Sequence, residues 1–184
     1  EGELRYLNNY SENLLAGTFL HSDDEYDERE QITPVTASGF DKKDRWLTHF
    51  SHKGKAGLLS SSIAYTSVSD IDYLDDLGGF TNTNSGFNNA MDRSKEPALL
   101  RKGEFSYGTQ SWRSTLELRS FQEISQKKPN QYEILPRLTL TGSKSFGRIK
   151  SSTLLQATIF DNPSSNKTEG SRIVADVSTS APFR

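Results

Sequence analysis

Four groups of residues in this chain have side chains that could do chemistry, and spacing decides what each can do. His49 and His52 lie three positions apart. In a strand that spacing sends them to opposite faces, so they cannot chelate one ion together. His21 is the remaining histidine, and three scattered imidazoles make no ligand set. The acidic run Asp23, Asp24, Glu25, Asp27, Glu28 and Glu30 could gather a hard cation through carboxylate oxygens. It lacks the glycine and ligand spacing of an EF-hand, and a solvated loop is the simpler reading. Asp70, Asp72, Asp75 and Asp76 pose the same choice. Asn9-Tyr10-Ser11 and Asn166-Lys167-Thr168 match the glycosylation sequon, which counts only in a secretory pathway that glycosylates. Gly78-Gly79 follows no phosphate-loop pattern, no serine sits in a nucleophile elbow, and no acid/base pair emerges from the order of residues. The expectation is no metal, no cofactor and no enzyme.

Composition bounds what remains. The chain has 184 residues, 33% of them hydrophobic, and a formal charge of −2. It is long enough for one soluble domain and too short for a large complete membrane barrel. No apolar run approaches the length of a transmembrane helix. Strands with one apolar face would give this average, because every second residue is polar. Lys42-Lys43 and Lys127-Lys128 are too isolated for a basic patch, so nucleic acid is not an expected partner. Cysteine is absent, which excludes disulfides and thiolate chemistry within this segment. Glu1-Gly2-Glu3-Leu4-Arg5 reads as the interior of a longer protein, and a fragment is expected.

The elements that must position these residues are strands. Nine stretches read as β: Glu3 to Leu7, Leu14 to Leu20, Arg45 to His52, Leu58 to Val68, Leu99 to Gly108, Ser111 to Ile124, Tyr132 to Gly142, Arg148 to Phe160 and Ser171 to Ser178. Short connectors such as His52-Lys53-Gly54-Lys55 and Ser143-Lys144-Ser145-Phe146-Gly147 alternate with long links at Ser22 to Asp44, Ser69 to Ala98, Ser125 to Gln131 and Asp161 to Gly170. Glycine and small polar residues in the short connectors suit hairpin turns. Two structureless loops as long as the first two links would be out of place in a compact soluble domain. Short turns on one rim and long loops on the other describe an outer-membrane barrel wall. Several stretches also reach the 9 to 11 residues or so that a tilted membrane strand needs.

Period-two alternation divides these strands into two faces. Trp112, Leu116 and Leu118 of the sixth stretch, Ile134, Leu138 and Leu140 of the seventh, and Leu155 and Ile159 of the eighth fall on a face that could meet lipid. Arg113, Glu117, Arg119, Glu123, Arg137, Lys150 and Gln156 fall on a face that wants water. Pro136 cannot donate to the ladder and predicts a bulge or local opening. Trp46, Tyr65, Tyr132 and Phe160 near the long-loop rim, with Tyr107 and Trp112 near the short-turn rim, fit two aromatic girdles. Aromatics favoured in any strand would look the same. The fold class expected is all-β, an antiparallel up-and-down meander forming a partial transmembrane barrel of about nine strands. A soluble sandwich, or a barrel of the porin or receptor type, shares much of the pattern.

Tyr65-Thr66-Ser67-Val68-Ser69-Asp70-Ile71-Asp72-Tyr73-Leu74-Asp75-Asp76-Leu77-Gly78 resembles the strand-to-loop signature of the LptD family of lipopolysaccharide-assembly outer-membrane proteins, above all at Val68, Ser69, Asp70, Tyr73, Asp76 and Leu77. Glu3-Leu4-Arg5-Tyr6-Leu7, Leu20-His21-Ser22-Asp23-Asp24 through Glu28, Arg45-Trp46, Trp112 through Phe121-Gln122, and Tyr132-Glu133-Ile134-Leu135-Pro136-Arg137-Leu138 resemble other family segments in the same order. The likeness spans nearly the whole chain. It implies, over residues 1–184, part of a large outer-membrane barrel of a Gram-negative bacterium that delivers lipopolysaccharide to the outer leaflet by transport without covalent chemistry. The partners it implies are lipopolysaccharide, a plug lipoprotein of the LptE type and outer-membrane lipid. Periplasmic bridge proteins would be reached only through an N-terminal jellyroll that this segment lacks, together with the earliest and the closing strands and the lateral gate between them. Arg113, Glu117, Arg119, Glu123, Arg137, Lys150 and Gln156 would then face the lumen, where they could meet sugar, phosphate or plug surface.

Overall fold

The computed structural model describes residues 2–22, 44–70, 72–77, 98–124, 132–162 and 168–181, with Asp75 and Asp76 described by their backbone alone. The strands are β1 (Gly2–Leu7), β2 (Ser11–Leu20), β3 (Arg45–Ala56), β4 (Leu59–Val68), β5 (Ala98–Gly108), β6 (Trp112–Glu123), β7 (Glu133–Phe146), β8 (Ile149–Asp161) and β9 (Gly170–Ser180). Each is hydrogen-bonded to its neighbours in sequence, giving one nine-stranded sheet in the order β1 to β9. The ladders β1/β2, β6/β7, β7/β8 and β8/β9 are antiparallel. The all-β meander expected from the sequence is the fold observed. The acidic run at 23–30, Lys42-Lys43, Gly78-Gly79, Lys127-Lys128 and Asn166-Lys167 lie outside the described residues, as do the side chains of Asp75 and Asp76.

Two hairpins turn later than expected. β3 runs through the residues 52–55 expected as a turn and ends at Ala56, where Gly57 and Leu58 reverse the chain. β7 likewise continues through Ser143 to Phe146 and turns at Gly147 and Arg148. Gly57 (φ 61°) and Gly147 (φ 62°) each occupy the left-handed region, and the residue after each keeps a negative φ. Glycine first and an ordinary residue second is the II′ pattern, whose twist matches that of paired strands. The connectors expected from the sequence are 52–55, which stops short of Gly57, and 143–147, which ends on Gly147. Two-residue hairpins leave the residues before each glycine in the ladder.

Two other short links use a side chain to hold the turn. Asn8 Oδ1 accepts from the backbone N–H of Tyr10 (2.8 Å) and of Ser11 (2.7 Å). Thr109 Oγ1 accepts from Trp112 N at 3.1 Å, while Thr109 N donates to Trp112 O at 2.7 Å. Asn and Thr are suited to this because a short side-chain acceptor reaches N–H groups two or three residues on. The Ser69 to Ala98 link holds a feature that sequence reading did not anticipate, the short helix α1 (Tyr73–Leu77).

The chain divides into two compact units. Unit 1 comprises Glu1–His52, Ile63–Arg101 and Phe121–Asn130; unit 2 comprises Lys53–Ser62, Lys102–Ser120 and Gln131–Arg184. Unit 1 has a core of Ala16, Leu47, Val68, Tyr73, Leu74 and Leu99, with Leu77 and Ile124 against it. Alternation in β3 feeds this core, since Arg45, Leu47 and His49 are buried and Trp46, Thr48 and Phe50 are less so. In unit 2 the buried hydrophobic residue among those described is Ile134. Many of its large apolar side chains, among them Leu138, Leu155, Ile159, Ile173 and Val177, are exposed.

The hairpin glycines give a first prediction. Placing an L-residue in the left-handed region costs about 1–2 kcal/mol. Gly57→Val and Gly147→Val are each expected to lower the urea midpoint of the refolded full-length protein by that equivalent. Gly103→Ala, where an added Cβ meets nothing within 4 Å, is expected to leave the midpoint unchanged.

Candidate functional site

In unit 2, the register of β6 to β9 sorts side chains into cross-strand rows. One face carries Leu116, Leu138, Ala157 and Ile173 in one row, Ser114, Leu140, Leu155 and Ala175 in the next, and Trp112, Gly142, Thr153 and Val177 in a third. Gly142 is needed beneath Trp112, because a Cβ there would lie 2.3 Å from the indole ring. The other face carries Glu117, Arg137, Thr158 and Arg172 in one row, Thr115, Thr139, Gln156 and Val174 in a second, and Arg113, Thr141, Leu154 and Asp176 in a third. Lys150 stands on this face opposite Ser145 and Ser180. Glu123 closes β6 beyond the last paired position, Arg119.

One residue of the expected apolar series lies elsewhere. Between Ile134 and Arg137, β7 spends three residues where β6 and β8 each spend two. This is a bulge at Leu135-Pro136, the irregularity expected from the proline, and it reverses the alternation on its far side. Ile134 therefore pairs with Arg119 and Phe160 and shares a face with the charged row, not with Leu138 and Leu140. Phe160 follows it, and Tyr132 meets the Phe160 ring edge-on at 6.3 Å. Phe160 is thus parted from Ile159, against its placing in an aromatic girdle.

Polar groups on the charged face hold one another. Glu117 accepts from Arg119 Nη2 at 2.6 Å through one oxygen and from Arg137 Nη1 at 3.1 Å through the other. Lys102 pairs with Glu104 at 2.9 Å. Gln156 Nε2 donates to Thr139 Oγ1 at 3.2 Å, and Ser106 and Thr115 share a bond of 2.9 Å. Three atoms are left out: Arg119 Nε, Arg137 Nε and Thr158 Oγ1 are buried without a hydrogen-bond partner. Each such omission costs about 1–3 kcal/mol. Sequence reading missed Arg172 because a face pattern in one strand does not reveal which residues of other strands complete its row.

Unit 1 contains the signature stretch, and its polar residues are spent on one another. Asp70 takes a bidentate pair from Arg45, with Nε at 3.1 Å and Nη2 at 2.9 Å. Both side chains are about 3–4% exposed. Ser69 Oγ donates to Asp70 at 2.6 Å and accepts from Trp46 N at 3.1 Å, and Asp72 N donates to Asp70 Oδ1 at 3.1 Å. Tyr73 at the start of α1 bonds Thr18 through its hydroxyl, and the Arg45 guanidinium lies 5.6 Å from its ring centre. Gln122 accepts from Ser67 Oγ (3.0 Å), Val68 N (3.1 Å) and Arg101 Nη2 (2.7 Å), and it donates to Val68 O at 2.7 Å. Val68, Ser69, Asp70, Tyr73 and Leu77 therefore brace a strand end and a helix. No group of three or more metal-ligating side chains occurs among the described residues. His49 Nδ1 bonds Thr66 and His52 Nδ1 bonds Asn13, so the two rings point to different partners.

Removing one member of a buried pair strands the other charge and costs about 3–5 kcal/mol. Asp70→Ala in the full-length protein is therefore expected to lower the urea midpoint by that equivalent, and the double replacement Arg45→Met with Asp70→Leu is expected to lose less. A midpoint unmoved by Asp70→Ala would show that the pair contributes nothing to stability.

Comparison with known proteins gives this arrangement a context. A family described as LptD, LPS transport system D, matches residues 43–184. The LPS-assembly protein LptD of Pseudomonas syringae pv. syringae is 30% identical over 146 residues, covering 78% of this chain and 14% of that protein. The LPS-assembly proteins LptD of Aliivibrio fischeri and Pectobacterium atrosepticum are each 27% identical, over 139 and 188 residues. They match 75% and 100% of this chain, and 15% and 22% of their own lengths. The chain thus spans about a fifth or less of the curated relatives it matches. With a family match across residues 43–184, most of its length, the chain belongs to the LptD family, LPS transport system D.

Proposed function

We propose that this chain is part of the wall of an outer-membrane β-barrel that inserts lipopolysaccharide into the outer leaflet of a Gram-negative bacterium, by transport with no covalent chemistry. The observation that carries this reading is a contrast in exposure between the two faces at the middle of β6 to β8. On the apolar face Leu138 is 49% exposed, Leu155 42% and Ile159 50%; on the charged face Glu117 is 9% exposed and Thr158 2%. A contiguous apolar face of this size is unfavourable in water and suited to hydrocarbon. The names of the relatives, LPS-assembly proteins, support lipopolysaccharide as the cargo.

In this reading Trp112, Leu116, Leu118, Leu138, Leu140, Leu155 and Ile159 meet outer-membrane lipid. Arg113, Glu117, Arg119, Arg137, Lys150 and Gln156 line the lumen, and the bulge adds Ile134 to that side. The lumen face offers guanidinium and hydroxyl donors to the sugar part of lipopolysaccharide, or to a plug lipoprotein of the LptE type inside the barrel. Periplasmic bridge proteins would be met by other parts of the full-length protein. Strands suit this role because paired ladders satisfy the backbone without water.

Cysteines placed singly at Leu116, Glu117, Leu118 and Arg119 of the full-length protein in membranes provide the test. A lipid-soluble reagent is expected to label positions 116 and 118, and a water-soluble one positions 117 and 119. Uniform access to the water-soluble reagent at all four would overturn the wall reading.

A further inference from the structure

The row Glu117, Arg137, Thr158 and Arg172 contains a gap in its own hydrogen bonding. Glu117 satisfies Arg137 from one side only, through Nη1. On the other side of Arg137 stands Thr158, 2% exposed with its hydroxyl unpartnered, and beyond it Arg172. Arg172 makes no ion pair or hydrogen bond among the described residues. Strands β7 and β9 are two spacings apart, about 10 Å, a distance that two arginine side chains can close over the threonine between them. Arg119, one row away, adds a third guanidinium. Glu117 is the carboxylate that Arg119 and Arg137 share, Glu104 is taken by Lys102, and Asp176, the acidic residue of β9, stands two rows off.

We propose that Arg137, Thr158 and Arg172 form an oxyanion-binding station for a charged sugar, taking a phosphate ester or a carboxylate. This rests on the reading of the charged face as the lumen wall, and it narrows that reading from general hydration to recognition of acidic sugars. An oxyanion here accepts forked N–H bonds from the two guanidinium groups, the geometry in which arginine is strongest. Its remaining lone pairs take the Thr158 hydroxyl, which has no other acceptor in reach. Neutral sugars lack the charge to displace water from the two cations. The station therefore holds a chain at its acidic residues and lets neutral ones pass.

The test uses the full-length protein in detergent and ligand-observed NMR with glucose 6-phosphate, glucuronate and glucose as probes. Saturation is expected to transfer to one or both acids and not to glucose. Transfer to both acids supports a general oxyanion site, and transfer to one identifies phosphate or carboxylate as its ligand. Arg172→Gln is expected to weaken that binding at least fivefold, and Thr158→Val by a similar factor. Arg148→Gln, at the β7/β8 turn, should leave it unchanged. Arg172 is exposed, so its replacement leaves folding intact and keeps the result interpretable. Equal transfer to glucose, or acid binding unaffected by both variants, overturns the station. If the sugar acids fail to bind while the cysteine labelling alternates, the station fails and the wall reading stands. If the labelling fails to alternate, the wall reading itself falls.

Discussion

Register across β6 to β9 is the constraint on which the rest of unit 2 depends. Because side chains alternate with period two, a slip of one residue in any pair would carry a whole apolar row to the charged face. Three features hold the register: a two-residue turn at Gly147-Arg148, the Trp112 ring seated over Gly142, and Glu117 bridging two arginines across neighbouring strands. Each is individually modest. Together they fix which of two incompatible surfaces faces which solvent. The bulge at Leu135-Pro136 shows the same rule locally, since one extra residue is enough to turn Ile134 to the other side.

Unit 1 is organised by burial of polar groups. Its core includes six hydrophobic side chains, yet Arg45, Asp70, Ser67, Ser69 and Gln122 are buried beside them. Such groups are tolerable only when their bonds are made, and here Asp70 and Gln122 are well supplied. The signature stretch is thus a fastening in which Asp70 and Ser69 meet β3, through Arg45 and Trp46, and Tyr73 meets Thr18 of β2. Its sequence pattern reflects that mutual dependence, since changing one member leaves another without a partner.

All nine strands were legible in the sequence, because alternation and turn residues are local signals. The helix at Tyr73–Leu77 was not, for five residues carry too little periodicity to stand out. Turn positions shifted because glycine at positive φ, and not the polar residues before it, decides a two-residue hairpin. The bulge at Pro136 was visible from the missing donor, but its effect on Ile134 needed the count of residues on both neighbouring strands. Asp70 was noted as one of a set of acids; its partner Arg45, 25 positions earlier, could not be found without the fold. Gln122 gave a hint, as a polar residue in a series with Trp112, Leu116 and Leu118.

Strand order that follows chain order has a consequence for how the sheet is made. No strand must search past another for its partner, so the entropy of closing each pair is set by the link between its two members alone. Each doubling of a link adds only about 0.6 kcal/mol to that closure. The long link from Leu20 to Arg45 therefore delays pairing by about 2 kcal/mol relative to the two-residue turns. The short-link hairpins β1/β2, β3/β4, β5/β6 and β7/β8 carry the smallest closure cost. Elongation of the long links is thermodynamically inexpensive, which leaves them free to lengthen and diversify while the strand order stays the same.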